Sequence, residues 1–135
     1  MCLRNIELVN EKEVIAYKAF AIVNGALVSI FSHSRIYTQS YKTPVPYITH
    51  TTIKAFNPNS HVESYFYSCK NQYDAISLAQ NKNDYWNIDI DEEKIVCKVK
   101  LSGIIYKGTL GTFRLPSYMS THICVLDSIQ SGIRI

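Results

Sequence analysis

The stretch VIAYKAFAIVNGALVSIF, residues 14–31, decides the fold prediction. Asn-Gly between two apolar runs is a strong signal for a β-hairpin, because a type I′ turn needs positive φ at both central residues. Side chains alternate along the first arm, with Ile15, Tyr17, Ala19, Ala21 and Val23 on one face and Ala16, Lys18, Phe20 and Ile22 on the other. We therefore predict two antiparallel strands joined at Asn24-Gly25.

Further strands are predicted on both sides of this hairpin from alternating apolar residues bounded by turn formers. They are residues 3–9, 50–56, 61–67, 85–90, 94–101 and 120–129, with a brief pairing at 112–115. Gly103 is expected to interrupt the chain before 104–108, and Asn57 to Ser60 is expected to form a turn. The sequence thus predicts about eight strands.

The segment YFYSCKNQYDAISLA, residues 65–79, predicts a strand that enters a helix from about residue 69 to residue 80. A helical projection places Ala75, Ile76, Leu78 and Ala79 on one apolar arc. Ser68 or Asn71 can cap the first turn, where Asp74 suits the positive end of the helix dipole.

Cys69 stands at the predicted strand–helix joint, and two interpretations of it follow. A helix N-terminus lowers the pKa of a thiol, which would suit a nucleophile. However, no glycine flanks Cys69, and a nucleophile elbow needs small neighbours around its strained turn. We therefore favour a structural cysteine that packs beneath the helix.

Length and composition place these elements in one domain that spans residues 1–135. Hydrophobic residues make up 47% of the chain and charged residues 19%, values of a globular protein. Strands, one helix and further strands, in that order, favour an α+β class over a parallel βαβ array. The predicted fold is a largely antiparallel, twisted β-sheet with one short helix packed on a face.

The same numbers bear on compartment and partners. A net charge of +3 is too small for a dedicated nucleic-acid binder. The chain has no apolar run long enough for a bilayer, and its first ten residues lack the apolar run of a signal peptide. Its four cysteines show no close pairing, which favours reduced thiols. We expect a cytoplasmic protein, in the host cell if it is viral, with no membrane or nucleic-acid partner.

Motifs that would assign an activity are not assembled in the sequence. His33, His50, His61 and His122 show no metal-ligand spacing, and the five glycines form no phosphate-binding loop. We accordingly expect no bound metal ion and no cofactor. The sequence identifies no catalytic residues, and we favour a binding protein over an enzyme.

Two sets of residues are candidates for binding a partner or ligand. The first lies in the long predicted loop 32–50 and comprises Arg35, Tyr37, Tyr41, Lys42 and Tyr47. Tyrosine and arginine dominate binding hot spots because they combine large contact areas with specific hydrogen bonds. The second set shares one face of the predicted strand 61–67 and comprises His61, Glu63, Tyr65 and Tyr67.

The segment 65–79 resembles a G-F-H-x-C-K-x-x-x-D-A segment of small uncharacterised proteins of phages and bacteria. The matching residues are Phe66, Cys69, Lys70, Asp74 and Ala75, while Tyr65 replaces the glycine and Tyr67 the histidine. The flanking segments YKAF…NGALVSI and VKLSGIIYKG follow the same order. This resemblance implies a shared α+β fold and a viral or mobile-element origin, and it implies no activity.

Two classes of function follow. The leading one is a small cytosolic binding protein, phage-encoded, that sequesters or inhibits a host component as an accessory or anti-defence factor. The alternative is a nucleotide- or ADP-ribosyl-handling enzyme or ligand-binding domain that uses the His61, Glu63, Tyr65 and Tyr67 face. The expected partner is a host protein or a small nucleotide-like ligand, and homo-oligomerisation stays open.

Overall fold

The structure is a computed structural model. It describes residues 3–23, 26–29, 50–54, 65–80, 93–110 and 114–133. The predicted turn at Asn24-Gly25, the turn 57–60 and the strand 85–90 lie outside these residues, as do the loop residues 32–49.

Seven strands and one short helix make up the regular structure of the described residues. The strands are β1 (Leu3–Leu8), β2 (Glu13–Val23), β3 (Ala26–Ser29), β4 (Thr52–Lys54), β5 (Phe66–Cys69), β6 (Lys94–Leu110) and β7 (Leu115–Ile133), and the helix is α1 (Gln72–Gln80). The pairings between these strands are antiparallel. The predicted antiparallel sheet with one short helix is confirmed at this level.

The hairpin prediction is also confirmed, because β2 and β3 pair antiparallel from Val23 opposite Ala26 to Phe20 opposite Ser29. Two residues connect these strands, as the Asn-Gly signal requires.

Four of the strands form a closed ring, which the sequence did not predict. Strand β6 pairs with both β2 and β7, and β5 pairs with β2 on one side and β7 on the other. Strands β1, β3 and β4 are attached to β6, β2 and β7 respectively. The order of pairing is therefore β6–β2–β5–β7 and back to β6.

The two faces of the sheet carry two separate apolar clusters, as alternation along a strand requires. The helix-side cluster comprises Leu3, Ala19, Ala21, Tyr65, Tyr67, Cys69, Ala75, Leu78, Ala79, Val96, Leu110 and Met119. The opposite cluster comprises Ala16, Phe20, Leu27, Phe66, Ile95, Cys97, Val99, Leu101, Ile105, Ile123 and Val125. The predicted apolar arc of the helix is confirmed, since Ala75, Leu78 and Ala79 are buried.

The helix begins at Gln72 and not near residue 69 as predicted. Residues 66–69 pair with Ser117 to Ser120 of β7, and the Lys70 amide donates to the carbonyl of Pro116 at 3.0 Å. The backbone is therefore committed to the sheet through residue 70. Asn71 precedes the helix, and its side-chain amide donates to Asp74 Oδ2 at 3.3 Å.

Gly103 does not end a strand, contrary to the prediction. Strand β6 continues through it, and its pairing with β7 shifts register between Ser102 and Ile105. Gly103 has a φ of 75°, a conformation that glycine adopts without steric penalty. The glycine accommodates a β-bulge, which bends a strand without terminating it.

Strand β7 is also longer than predicted, because it runs from Leu115 to Ile133 where a strand at 120–129 was expected. Residues 112 and 113 of the predicted brief pairing lie outside the described residues. Pro116 lies at its second residue, a position near a strand end where the missing amide donor is tolerated.

Candidate functional site

All five residues of the predicted loop set lie outside the described residues. They are Arg35, Tyr37, Tyr41, Lys42 and Tyr47. His61 and Glu63 of the second set also lie outside the described residues. Their role in binding stays a prediction.

Tyr65 and Tyr67, the other members of the second set, are described and buried, with 7% and 2% of their surface exposed. Both belong to the helix-side cluster. The Tyr65 ring lies 6.1 Å from that of Tyr106, centroid to centroid, at a tilt of 58°. Burial, and to a smaller extent the nearby Tyr106, raise the pKa of Tyr65. In the described structure these two tyrosines serve the packing beneath the helix.

Cys69 ends β5 and is buried in the helix-side cluster. Desolvation raises the pKa of its thiol to about 12, assisted by Asp74 and opposed by Lys18 and by a hydrogen bond with Ser117. Burial disfavours the thiolate more strongly than the nearby helix N-terminus favours it, so the pKa of Cys69 is raised and not lowered. Cys69 is therefore a neutral thiol at physiological pH, and the predicted packing role is confirmed.

Replacing Cys69 with alanine should lower the free energy of unfolding by about 1–3 kcal/mol, because removing the buried sulfur leaves a small cavity under α1. Partner binding by the folded variant should be unchanged. Chemical unfolding of both proteins measures the first effect, and a binding assay at a temperature where both are folded measures the second. Lost binding with unchanged stability would contradict the structural role.

Lys18 is a buried lysine that the sequence did not single out as a candidate functional residue. It has 1% of its surface exposed, and it pairs across the sheet with Cys97, a member of the opposite cluster. Its Nζ donates to the backbone carbonyl of Tyr67 at 2.6 Å and lies 5.5 Å from the centroid of the Phe20 ring. The signal in the sequence was a lysine on the strand face of Ala16 and Phe20.

Burial sets the chemistry of this lysine. Desolvation lowers its pKa from 10.5 to about 7, and the nearby Cys69 opposes the shift. At neutral pH the side chain is therefore divided between amine and ammonium, so it can take up or release a proton in the physiological range.

Ser68 adds a second buried polar group beside Lys18. It is 1% exposed, and its hydroxyl has no hydrogen-bond partner among the described residues. Tyr17 pairs with Cys69, so continuing that antiparallel register by one residue places Lys18 opposite Ser68. The arrangement combines a proton-exchanging amine and a hydroxyl where β2 meets β5.

A second polar cluster surrounds the β-bulge at Gly103. The Ile104 amide donates to Thr121 Oγ1 at 3.0 Å, and Thr121 Oγ1 lies 2.8 Å from His122 Nδ1. Desolvation, and to a smaller extent Lys54, lower the pKa of His122. The imidazole is therefore predominantly neutral at pH 7, and its Nδ1 can accept a hydrogen bond from the Thr121 hydroxyl. These contacts fix the bulge.

No group of three or more His, Cys, Asp or Glu side chains in the described ranges could hold a metal ion. Helix α1 has nine residues, and the described part of the chain contains no helix long and apolar enough to span a membrane.

Comparisons with known proteins gave no match, whether with protein-family models, with curated proteins or with solved structures.

Proposed function

We propose that the protein is a small binding protein that sequesters or inhibits a cellular component, encoded by a phage as an accessory or anti-defence factor. The observation that carries the proposal is the composition of residues 32–50, where Arg35, Tyr37, Tyr41, Lys42 and Tyr47 occur together. Such residues provide large contact areas and directed hydrogen bonds to a partner. The proposed phage origin rests on the resemblance of residues 65–79 to a segment of small phage and bacterial proteins.

The described scaffold supports this proposal through the two strands that flank the segment. Strand β3 ends at Ser29 and is paired to β2, and β4 begins at Thr52 and is paired to β7. Both β2 and β7 belong to the closed ring. Each end of the segment therefore joins a strand of a hydrogen-bonded sheet, which suits a recognition loop carried by a rigid scaffold.

The burial of Tyr65 and Tyr67 favours this class over the alternative, a nucleotide- or ADP-ribosyl-handling domain. A ligand would need to reach side chains that are packed against α1 and are 7% and 2% exposed. The alternative would require these rings to leave the helix-side cluster, which would cost the free energy of burying them.

The triple variant Arg35→Ala, Tyr37→Ala, Tyr41→Ala tests the proposal. Truncating hot-spot residues should weaken partner binding by about 2 kcal/mol or more, a loss of about 30-fold. Stability should change little, since loop side chains contribute little to the core. The wild type first captures a partner from a host lysate, mass spectrometry identifies it, and calorimetry with the purified partner measures both affinities.

Tyr73→Ala provides the matched control, because Tyr73 lies on α1 and is 78% exposed. This variant loses an exposed tyrosine outside the segment and should bind as the wild type does. Equal affinity of the triple variant and the wild type would overturn the proposed role of residues 32–50. Unfolding of the triple variant would place the three residues in the core and overturn it as well.

A further inference from the structure

The pairing between β2 and β5 is the weakest joint of the closed ring. Among the described residues a single pair, Tyr17 with Cys69, joins these strands, whereas four pairs join β5 to β7 and nine join β2 to β6. We call this joint the seam and define it by Tyr17 and Lys18 on β2 and by residues 67–69 on β5. With so few ladder hydrogen bonds, other contacts must hold the seam closed.

The described residues provide a contact across the seam on each face of the sheet. On the helix side, Ala75 and Ala79 of α1 belong to the same cluster as Ala19 of β2 and Cys69 of β5. On the other side, the Lys18 side chain crosses the seam and donates to the Tyr67 carbonyl at 2.6 Å. The seam thus depends on a buried side chain that can carry a charge.

The titratable groups described around the seam are the thiols of Cys69 and Cys97, the carboxyl of Asp74, the phenols of Tyr17 and Tyr67 and the amine of Lys98, which pairs with Tyr17. Cys97 is the cross-strand partner of Lys18 on β6, and Asp74 on α1 acts on Cys69. Burial raises the pKa of both thiols to about 12, so they stay neutral at physiological pH. Burial brings the pKa of Lys18 to about 7, so this residue changes charge near neutrality.

We propose that the seam is a pH-sensitive gate in the closed sheet, which protonation of Lys18 opens and loss of that proton closes. The reason is the desolvation of the ammonium group in the closed form, which opening relieves by admitting water. Opening separates β2 from β5 and exposes Ser68 and Cys69, while the β6–β7 pairing stays intact. This gate is independent of the proposed binding function.

The direction of the effect follows from linkage. The pKa of Lys18 is about 7 in the closed seam and returns toward 10.5 when water reaches the amine. Between these values the open form binds more protons than the closed form. The equilibrium constant for opening should therefore rise about tenfold for each unit that the pH falls toward 7, and it should level off below pH 7.

Hydrogen–deuterium exchange of the full chain tests the gate between pH 6 and pH 9, with rates corrected for the intrinsic pH dependence of exchange. In the wild type we expect the amides in a peptide covering residues 65–71 that face β2 to lose about 50-fold in protection from pH 9 to pH 7. The peptide covering residues 94–101 should not follow it. Lys18→Met should abolish the pH dependence, and Lys70→Met, an exposed lysine next to β5, should retain it.

Equal pH dependence in the wild type and Lys18→Met, or none in the wild type, would overturn the gate. If Lys18→Met does not fold, the NMR titration of the Lys18 ε-carbon in the wild type decides between the outcomes. Titration near pH 7 together with the expected loss of protection supports the gate, and titration near 10.5 overturns it.

Discussion

The free energy of unfolding should rise by about 4 kcal/mol between pH 7 and pH 10.5 through the titration of Lys18 alone. The folded protein holds the pKa of this lysine at about 7, against 10.5 in water. Between these values the unfolded chain binds the additional proton, so each rise in pH favours the folded state. Below pH 7 both states bind the proton, and the contribution becomes constant.

Urea unfolding of the wild type and of Lys18→Met at several pH values from 7 to 10.5 measures this effect as the difference between the two proteins. The difference removes contributions that both share, including those of Cys69 and Cys97, whose raised pKa lowers stability above about pH 9. Lys70→Met, with an exposed lysine removed, should track the wild type. A constant difference between the wild type and Lys18→Met would show that Lys18 titrates alike in the folded and unfolded states.

Gly103→Ala should destabilise the protein by about 3 kcal/mol, because two unfavourable terms combine at one position. The φ of 75° lies in the left-handed region, which residues with a β-carbon rarely adopt. A β-carbon there would also overlap Thr121 Oγ1 and His122 Nδ1, which form the hydrogen bonds of the bulge. Thermal and chemical unfolding measure the loss.

Ser102→Ala is the control for this prediction, because it changes the neighbouring residue without adding a β-carbon. It should shift stability by less than about 1 kcal/mol. If Gly103→Ala were as stable as the wild type, the bulge would have to rearrange with the backbone, and the register shift between Ser102 and Ile105 would not be fixed by this glycine.

The element types in the described residues followed closely from local pattern. Alternation separated Ala19 and Ala21 from Ala16 and Phe20, and the structure places these residues in opposite clusters. Helical spacing likewise selected Ala75, Leu78 and Ala79 as the buried arc of α1. Such patterns are readable because a strand exposes alternate residues and a helix exposes one stripe, whatever the partners are.

The ends of the elements were predicted less well, since they depend on partners distant in sequence. Cys69 looked like the first residue of a helix, yet β7 supplies Ser117 as its partner in the sheet. Gly103 looked like a break, yet the pairing of β6 with β7 resumes at Ile105. In both places long-range hydrogen bonds outweighed the local preference.

By itself, the sequence determined the hairpin of β2 and β3, the two faces of the strands and the apolar face of α1, because these depend on residues close together in the chain. Only the tertiary structure decided that the ring closes between Tyr17 and Cys69, and that Lys18 is buried where it closes. Alternation placed Lys18 on a face but could not tell whether that face is covered. Its solvation, and with it the shift of its pKa toward 7, depends on β5 and β6, which lie some fifty and eighty residues further along the chain.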